Sequence, residues 1–139
     1  MTKADPSHSP LVLLVEDDPL QQMEAEDSLR ENGFSVLTAG SGEQALSELD
    51  KDTRRFTALV TDIRLGTGPN GWDVGRRARE ICPGLPVVYM TGDSADEWAS
   101  QGVPKSQLLQ KPYLTIQLIT AVVTLMNQSD SELANGHES

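Results

Sequence analysis

Four carboxylates in this chain stand where short apolar runs end. Leu11-Val12-Leu13-Leu14-Val15 leads into Glu16-Asp17-Asp18, and Leu59-Val60-Thr61 leads into Asp62. Two later runs end in other polar groups: Pro86-Val87-Val88-Tyr89-Met90 closes on Thr91, and Gln107-Leu108-Leu109-Gln110 on Lys111. Carboxylates gathered in one place repel unless a hard cation binds them, and Mg2+ prefers oxygen ligands while keeping several waters. An aspartate beside such an ion can attack phosphorus. A hydroxyl and an ammonium across from it can hold the phosphoryl oxygens. Positioning and charge neutralisation are most of what phosphoryl transfer asks of a protein. The residue types suffice only if one edge of the fold collects them.

The elements expected to do so alternate along the chain. Apolar runs bounded by turn residues read as buried parallel strands, with Phe34 to Ala39 as one more. A helix opens at Pro19, after Asp18, and Gly33 closes it; its apolar stripe is Leu20, Met23 and Leu29. Ser41 with Gln44 is a capping box for a second helix that turns Ala45, Leu46 and Leu49 inward. Val74, Ala78 and Ile81 mark a third, stopped at Cys82-Pro83-Gly84. Ser94 with Glu97 predicts a second capping box and a short fourth helix carrying Trp98. Leu118, Val122 and Leu125 form the inner face of a fifth. Strands alternating with helices through short connections imply a parallel sheet with helices on both sides. In such a sheet the ligand sits beyond the carboxyl ends of the strands, where all four runs deliver their polar residues. One domain over residues 9–128 is expected, with flexible polar tails at 1–8 and 129–139.

Charge and composition narrow the partners. With 21 acidic against 11 basic residues and a net charge of -10, the chain is unsuited to neutralising nucleic-acid phosphates. No apolar run approaches the roughly 20 residues of a membrane span, and the polar N-terminus lacks a signal-peptide core. A soluble, cytoplasmic protein with no nucleic-acid or membrane partner is expected. The lone Cys82 offers no internal disulfide and no CxxC metal knuckle, and reads as an unreactive helix-end residue.

Leu-Val-Glu-Asp-Asp-Pro, Val-Thr-Asp-Ile-Arg-Leu, Tyr-Met-Thr-Gly and Gln-Lys-Pro-Tyr resemble the signature segments of the receiver domain of two-component response regulators. The resemblance spans nearly the whole chain. It implies an α/β, flavodoxin-like, doubly wound five-stranded parallel sheet of order 2-1-3-4-5, a three-layer α/β/α sandwich. It also implies that Asp62 is the phosphoacceptor, charged by a histidine kinase or a histidine phosphotransfer protein with Mg2+ as cofactor. Asp17 would be a direct metal ligand, Glu16 would hold the ion through water, and the Arg64 main-chain carbonyl would be a further ligand. Thr91 and Lys111 would contact the phosphoryl group, and Asp18 would cap the first helix. Such a protein is a signalling module acting on a downstream protein target, not an enzyme beyond its own phosphorylation and slow dephosphorylation.

Three departures qualify the likeness. The loop from Asp62 to Gly71 is about one residue longer than usual, Gly92 follows Thr91 where many receivers have alanine, and Leu108 replaces a strand-five aromatic switch residue. The last two resemble a subgroup of stand-alone receivers. Arg64 and Asp93, each two residues beyond a site residue, could pair across the site. Ile116, Ile119, Val123 and Met126 predict a second apolar face on helix five for a partner or a homodimer. Two alternatives within the family are a phosphoryl sink and a shuttle in a phosphorelay. An aspartate-dependent phosphohydrolase would need a second aspartate where Arg64 stands. A flavin or nucleotide binder would need a phosphate-cradling loop where Glu16-Asp17-Asp18 stands.

Overall fold

The computed structural model describes residues 9–136; the expected tail at 1–8 and the last three residues lie outside them. Five strands, β1 (Leu11–Val15), β2 (Ser35–Ala39), β3 (Ala58–Asp62), β4 (Val87–Thr91) and β5 (Gln107–Gln110), form one sheet. All neighbours are parallel, in the order β2-β1-β3-β4-β5. The helices are α1 (Pro19–Glu31), α2 (Gly42–Asp52), α3 (Gly71–Ile81), α4 (Trp98–Gln101) and α5 (Thr115–Gly136). The doubly wound fold read from the sequence is the one observed.

Alternation along the inner strands sends side chains into two separate cores, which is why these strands are apolar throughout. Leu13, Val15, Leu59, Val87 and Tyr89 pack with Ala45, Leu49, Val74 and Ala78 of α2 and α3 on one face. Val12, Leu14, Val60, Val88 and Met90 pack with Ala25, Leu29, Leu118, Val122 and Leu125 of α1 and α5 on the other. Each of the valines, leucines and Met90, fully buried, contributes about 1.5–3 kcal/mol, so sheet and helices specify one another.

Several helix faces differ from the sequence reading. Leu20 and Met23 are exposed. At about 100° per residue they lie across the helix from Ala25 and Leu29, the pair that meets the sheet. Ile81, the last residue of α3, is also exposed, and Trp72 is buried instead. On α5, Ile119 and Met126 lean on the core, so the free apolar stripe narrows to Ile116 and Val123, beside Leu114. The α5 backbone runs on past the expected boundary at 128 and is helical to Gly136. The sequence after Gln128 holds no proline, and no glycine before Gly136, to break the helix.

The capping box at Ser94 does not form, and Ser94 places no side-chain bond on the helix start. Its hydroxyl donates to Asp93 and its N–H to Thr91, so the chain tightens into a 3-10 turn over Ala95–Glu97 before the single turn of α4. At Ser41 the box forms with a shift. Ser41 Oγ accepts from the Gln44 N–H, while the Gln44 side chain reaches Gly40 N–H. From Trp98 to Gln128, the stretch that builds α4, β5 and most of α5, the only charged residues are Lys105 and Lys111.

Candidate functional site

The sheet is extended past its strands by main-chain bonds that fix where each polar residue emerges. Glu16 N–H donates to Ala39 O at 3.1 Å, Ile63 N–H to Met90 O at 3.1 Å, and Lys111 N–H to Thr91 O at 2.7 Å. Glu16, Asp17, Asp62, Thr91 and Lys111 therefore leave from one carboxyl edge. Pro19 starts α1 and Asp18 caps it, accepting from Leu20 and Gln21 N–H at 2.9 and 3.3 Å. Those bonds, the Gln21 main-chain one foremost, hold the Asp18 carboxyl below its ordinary pKa. Asp18 is a cap, as expected from its place before the helix.

Asp62 is buried, with Oδ1 accepting from Ile63 N–H at 2.7 Å and Oδ2 from Lys111 Nζ at 2.7 Å. Lys111 also donates to Glu16 Oε1 at 2.9 Å and to the Gln21 side-chain oxygen. Burial would lower the Lys111 pKa, but the hydrogen bonds to Asp62 and Glu16 carry it above its ordinary value. Glu16 is 2% exposed. Burial pushes its carboxyl up to about 7, against the opposing bonds from Lys111 and Asp18.

One carboxylate oxygen each from Glu16, Asp17 and Asp62 lie within 4.8 Å of one another, two of the groups buried and Asp17 open to solvent. Three oxygen anions at this spacing with one face wet suit a hard divalent cation that keeps part of its water, which is the chemistry of Mg2+. The Asp62 to Gly71 loop beside them is held closely. At Gly71 a Cβ would stand 2.2 Å from Asp62 O, so only glycine lets α3 begin against the back of the aspartate. Gly71 N–H bonds Ile63 O at 2.8 Å, and Asn70 with Asp73 forms a reciprocal capping box. At Gly42 a Cβ would meet Pro69 O at 2.1 Å, which seats the same loop on the first turn of α2.

On the other side of Asp62, Thr91 is buried, and its Oγ1 accepts from Ser94 N–H at 2.7 Å and Asp93 N–H at 3.2 Å. Arg64 reaches over from the β3–α3 loop, with Nε 2.8 Å from the Asp93 carboxylate. That bond foremost, then the Ser94 hydroxyl, lowers the Asp93 pKa. The pairing expected of these two residues is present. Leu108 of β5 stands beside Tyr89 of β4, so the aromatic of this region is on the neighbouring strand. The Tyr89 ring lies 4.8 Å from that of Trp72, and its hydroxyl accepts from Val103 N–H at 3.2 Å.

Of the residues singled out for chemistry, Glu16, Asp17, Asp62 and Lys111 meet in one cluster; Thr91 ends the neighbouring strand, and Arg64 turns its side chain to Asp93. Two residues went unnoticed in the sequence. Gln22 donates to Glu16 O at 3.0 Å, bracing the turn that presents the carboxylates. Gln21 joins Asp18 to Lys111. A signal for Gln21 was present in its spacing: a long amide three residues after a helix cap returns over that cap.

A domain with this sheet order and this cluster of acids, threonine and lysine is a receiver. The response regulator receiver domain profile matches residues 12–123, and the chain belongs to that family. It is 37% identical over 113 residues to a response regulator receiver protein of Anaeromyxobacter sp. (strain Fw109-5), covering 80% of this chain and 43% of that protein. It is 29% identical over 129 residues to the sensor kinase CckA of Brucella abortus, 91% of this chain and 13% of the kinase. The chain thus spans less than half the length of either. Among solved structures, the response regulator receiver protein from Sinorhizobium medicae WSM419 superposes with a TM-score of 0.85 at 41% identity, over 88% of this chain and 98% of that one. No helix among the described residues is long and apolar enough to cross a membrane.

Proposed function

We propose that Asp62 accepts a phosphoryl group from a phosphohistidine on a histidine kinase or phosphotransfer protein, and that the chain signals by contact with a downstream protein. The observation that carries this reading is Lys111 Nζ held between Asp62 and Glu16, beside the three-carboxylate cluster. As an Asp62 oxygen bonds to phosphorus, the P–N bond to the donor imidazole breaks. Lys111 and the Thr91 hydroxyl are the donors closest to hand for the phosphoryl oxygens. Asp17 and Asp62, with Glu16 behind them and the Arg64 carbonyl, would hold Mg2+, which when bound neutralises charge on those oxygens. Leu20 and Met23, left exposed on α1, offer an apolar surface for the donor next to the site. Leu114, Ile116 and Val123 offer a second surface, for a target or another copy of the chain.

The test is incubation with Mg2+ and acetyl phosphate followed by intact mass measurement. The wild type gains one phosphoryl group, Asp62→Asn none, and Asp17→Asn gains it slowly at limiting Mg2+. Equal labelling of wild type and Asp62→Asn overturns the assignment.

A further inference from the structure

An ammonium has three N–H donors, and Lys111 has committed all of them: to Glu16 Oε1, Asp62 Oδ2 and the side-chain oxygen of Gln21. The first two join opposite charges and are the strong ones; the third runs from the same ammonium to an uncharged amide oxygen and is the weakest of the three. The Gln21 amide has one sensible orientation. Its Nε2 donates to Asp18 Oδ2 at 3.2 Å while its oxygen faces the ammonium. Flipping it would set NH2 against NH3+ and carbonyl against carboxylate. Asp18, pinned as the α1 cap, thus aims Gln21, and Gln21 holds Lys111.

We propose that Gln21 is a positioning residue for the phosphoryl site: it steadies the Lys111 ammonium at rest and is the acceptor that the arriving phosphoryl oxygen replaces. The proposal rests on reading Asp62 as the phosphoacceptor. A phosphoryl oxygen needs one of three occupied N–H groups. Taking it from Glu16 leaves a buried carboxylate with only the Asp18 N–H, and taking it from Asp62 leaves one with only the Ile63 N–H, each losing its cation. Taking it from Gln21, which is exposed, only returns a neutral amide to water. Without Gln21 the flexible lysine stem has one tether fewer and spends less time where the oxygen arrives.

Two variants separate positioning from mere helix capping. Gln21→Met keeps the length and removes the acceptor; Gln21→Glu keeps an acceptor but a charged one, which a phosphoryl oxygen displaces poorly. The readouts are the initial rate of Asp62 phosphorylation by acetyl phosphate at saturating Mg2+, and the 1H–15N signal of the Lys111 ammonium in the resting protein. Gln21→Met is expected to slow phosphorylation about three- to tenfold and to broaden the ammonium signal through faster exchange, with Mg2+ affinity unchanged. Gln21→Glu is expected to keep a sharp signal and yet slow phosphorylation more than about tenfold. A Gln21→Met variant with the wild-type rate, or with an unaltered ammonium signal, overturns the proposal. If the wild type takes no phosphoryl group, the phosphoacceptor reading fails by itself, and the ammonium signal still decides whether Gln21 holds Lys111.

Discussion

Replacing Thr91 with valine removes one oxygen and keeps the shape of the side chain, so its effects can be worked out bond by bond. Thr91 Oγ1 accepts from Ser94 N–H at 2.7 Å and from Asp93 N–H at 3.2 Å. Ser94 is 3% exposed, so its N–H is left without an acceptor at a cost of about 1–3 kcal/mol. Asp93 is exposed and its N–H turns to water at little cost. Thermal unfolding should therefore fall by roughly 4–12 °C. The local effect is more telling. If Thr91 ties down the β4–α4 connection, its withdrawal toward a phosphoryl group releases that connection, and Thr91→Val should release it permanently. Amide exchange at Asp93 and Ser94 should then be fast in the unphosphorylated variant. Trp98 fluorescence should be shifted at rest, because the indole N–H bond to Ser106 Oγ at 2.9 Å lies at the far end of the same segment. Beryllofluoride should change neither signal further, while Thr91→Ser should behave as wild type. Wild-type exchange at Ser94 in Thr91→Val would refute the idea that this hydroxyl governs the connection.

Other expectations follow from neighbouring residues. An alanine Cβ at Gly92 would meet nothing within 4 Å, so Gly92→Ala should stabilise by about 0.4–1 kcal/mol through the unfolded chain and damp the Trp98 response; chemical denaturation and fluorescence check both. Arg64→Ala opens the rim over Asp62 and should shorten the phosphoryl lifetime about two- to fivefold, seen in phosphate release at low salt. Glu16 binds its proton more tightly folded, with a pKa of about 7 against 4.5, so its contribution to stability is present below about pH 4.5 and is lost as pH rises through 7. In chelator, melting temperature should drop over that window, up to about 3 kcal/mol in stability. Glu16→Gln should flatten the drop, and Mg2+ should stabilise more at pH 8 than at pH 5.5.

Strands and site were legible for the same reason: a strand buried on both faces is an unbroken apolar run, and its first polar residue marks the sheet edge. Glu16 and Thr91 are such residues, while Asp62 follows Thr61 and Lys111 follows Gln110. Helix faces were less legible because one apolar residue looks like another until the angle to the sheet is known. Leu20 and Met23 fall on the wrong side of Ala25 for that reason alone. Ser94 misled because its N–H and hydroxyl were already committed to Thr91 and Asp93, and a capping motif says nothing about rival partners. Gln21 and Gln22 escaped because glutamine in the first turns of a helix is ordinary surface composition. Only the lysine arriving from β5 gives Gln21 a task.

The 31-residue stretch without a carboxylate, Trp98 to Gln128, divides the molecule electrically. With a net charge of -10, nearly all of the field emanates from the rest of the surface, including the edge that carries Asp17. A basic protein approaching that edge is drawn in over a distance set by the Debye length, about 8 Å at physiological ionic strength. Its association rate should fall steeply as salt is added. A protein meeting β5 and the first turns of α5 faces no carboxylate of that stretch, feels less such pull, and associates at a rate less sensitive to salt. Ionic strength is therefore a tool for sorting partners: those that bind the carboxylate edge and those that bind the flank without carboxylates should separate by their kinetics before any complex is crystallised.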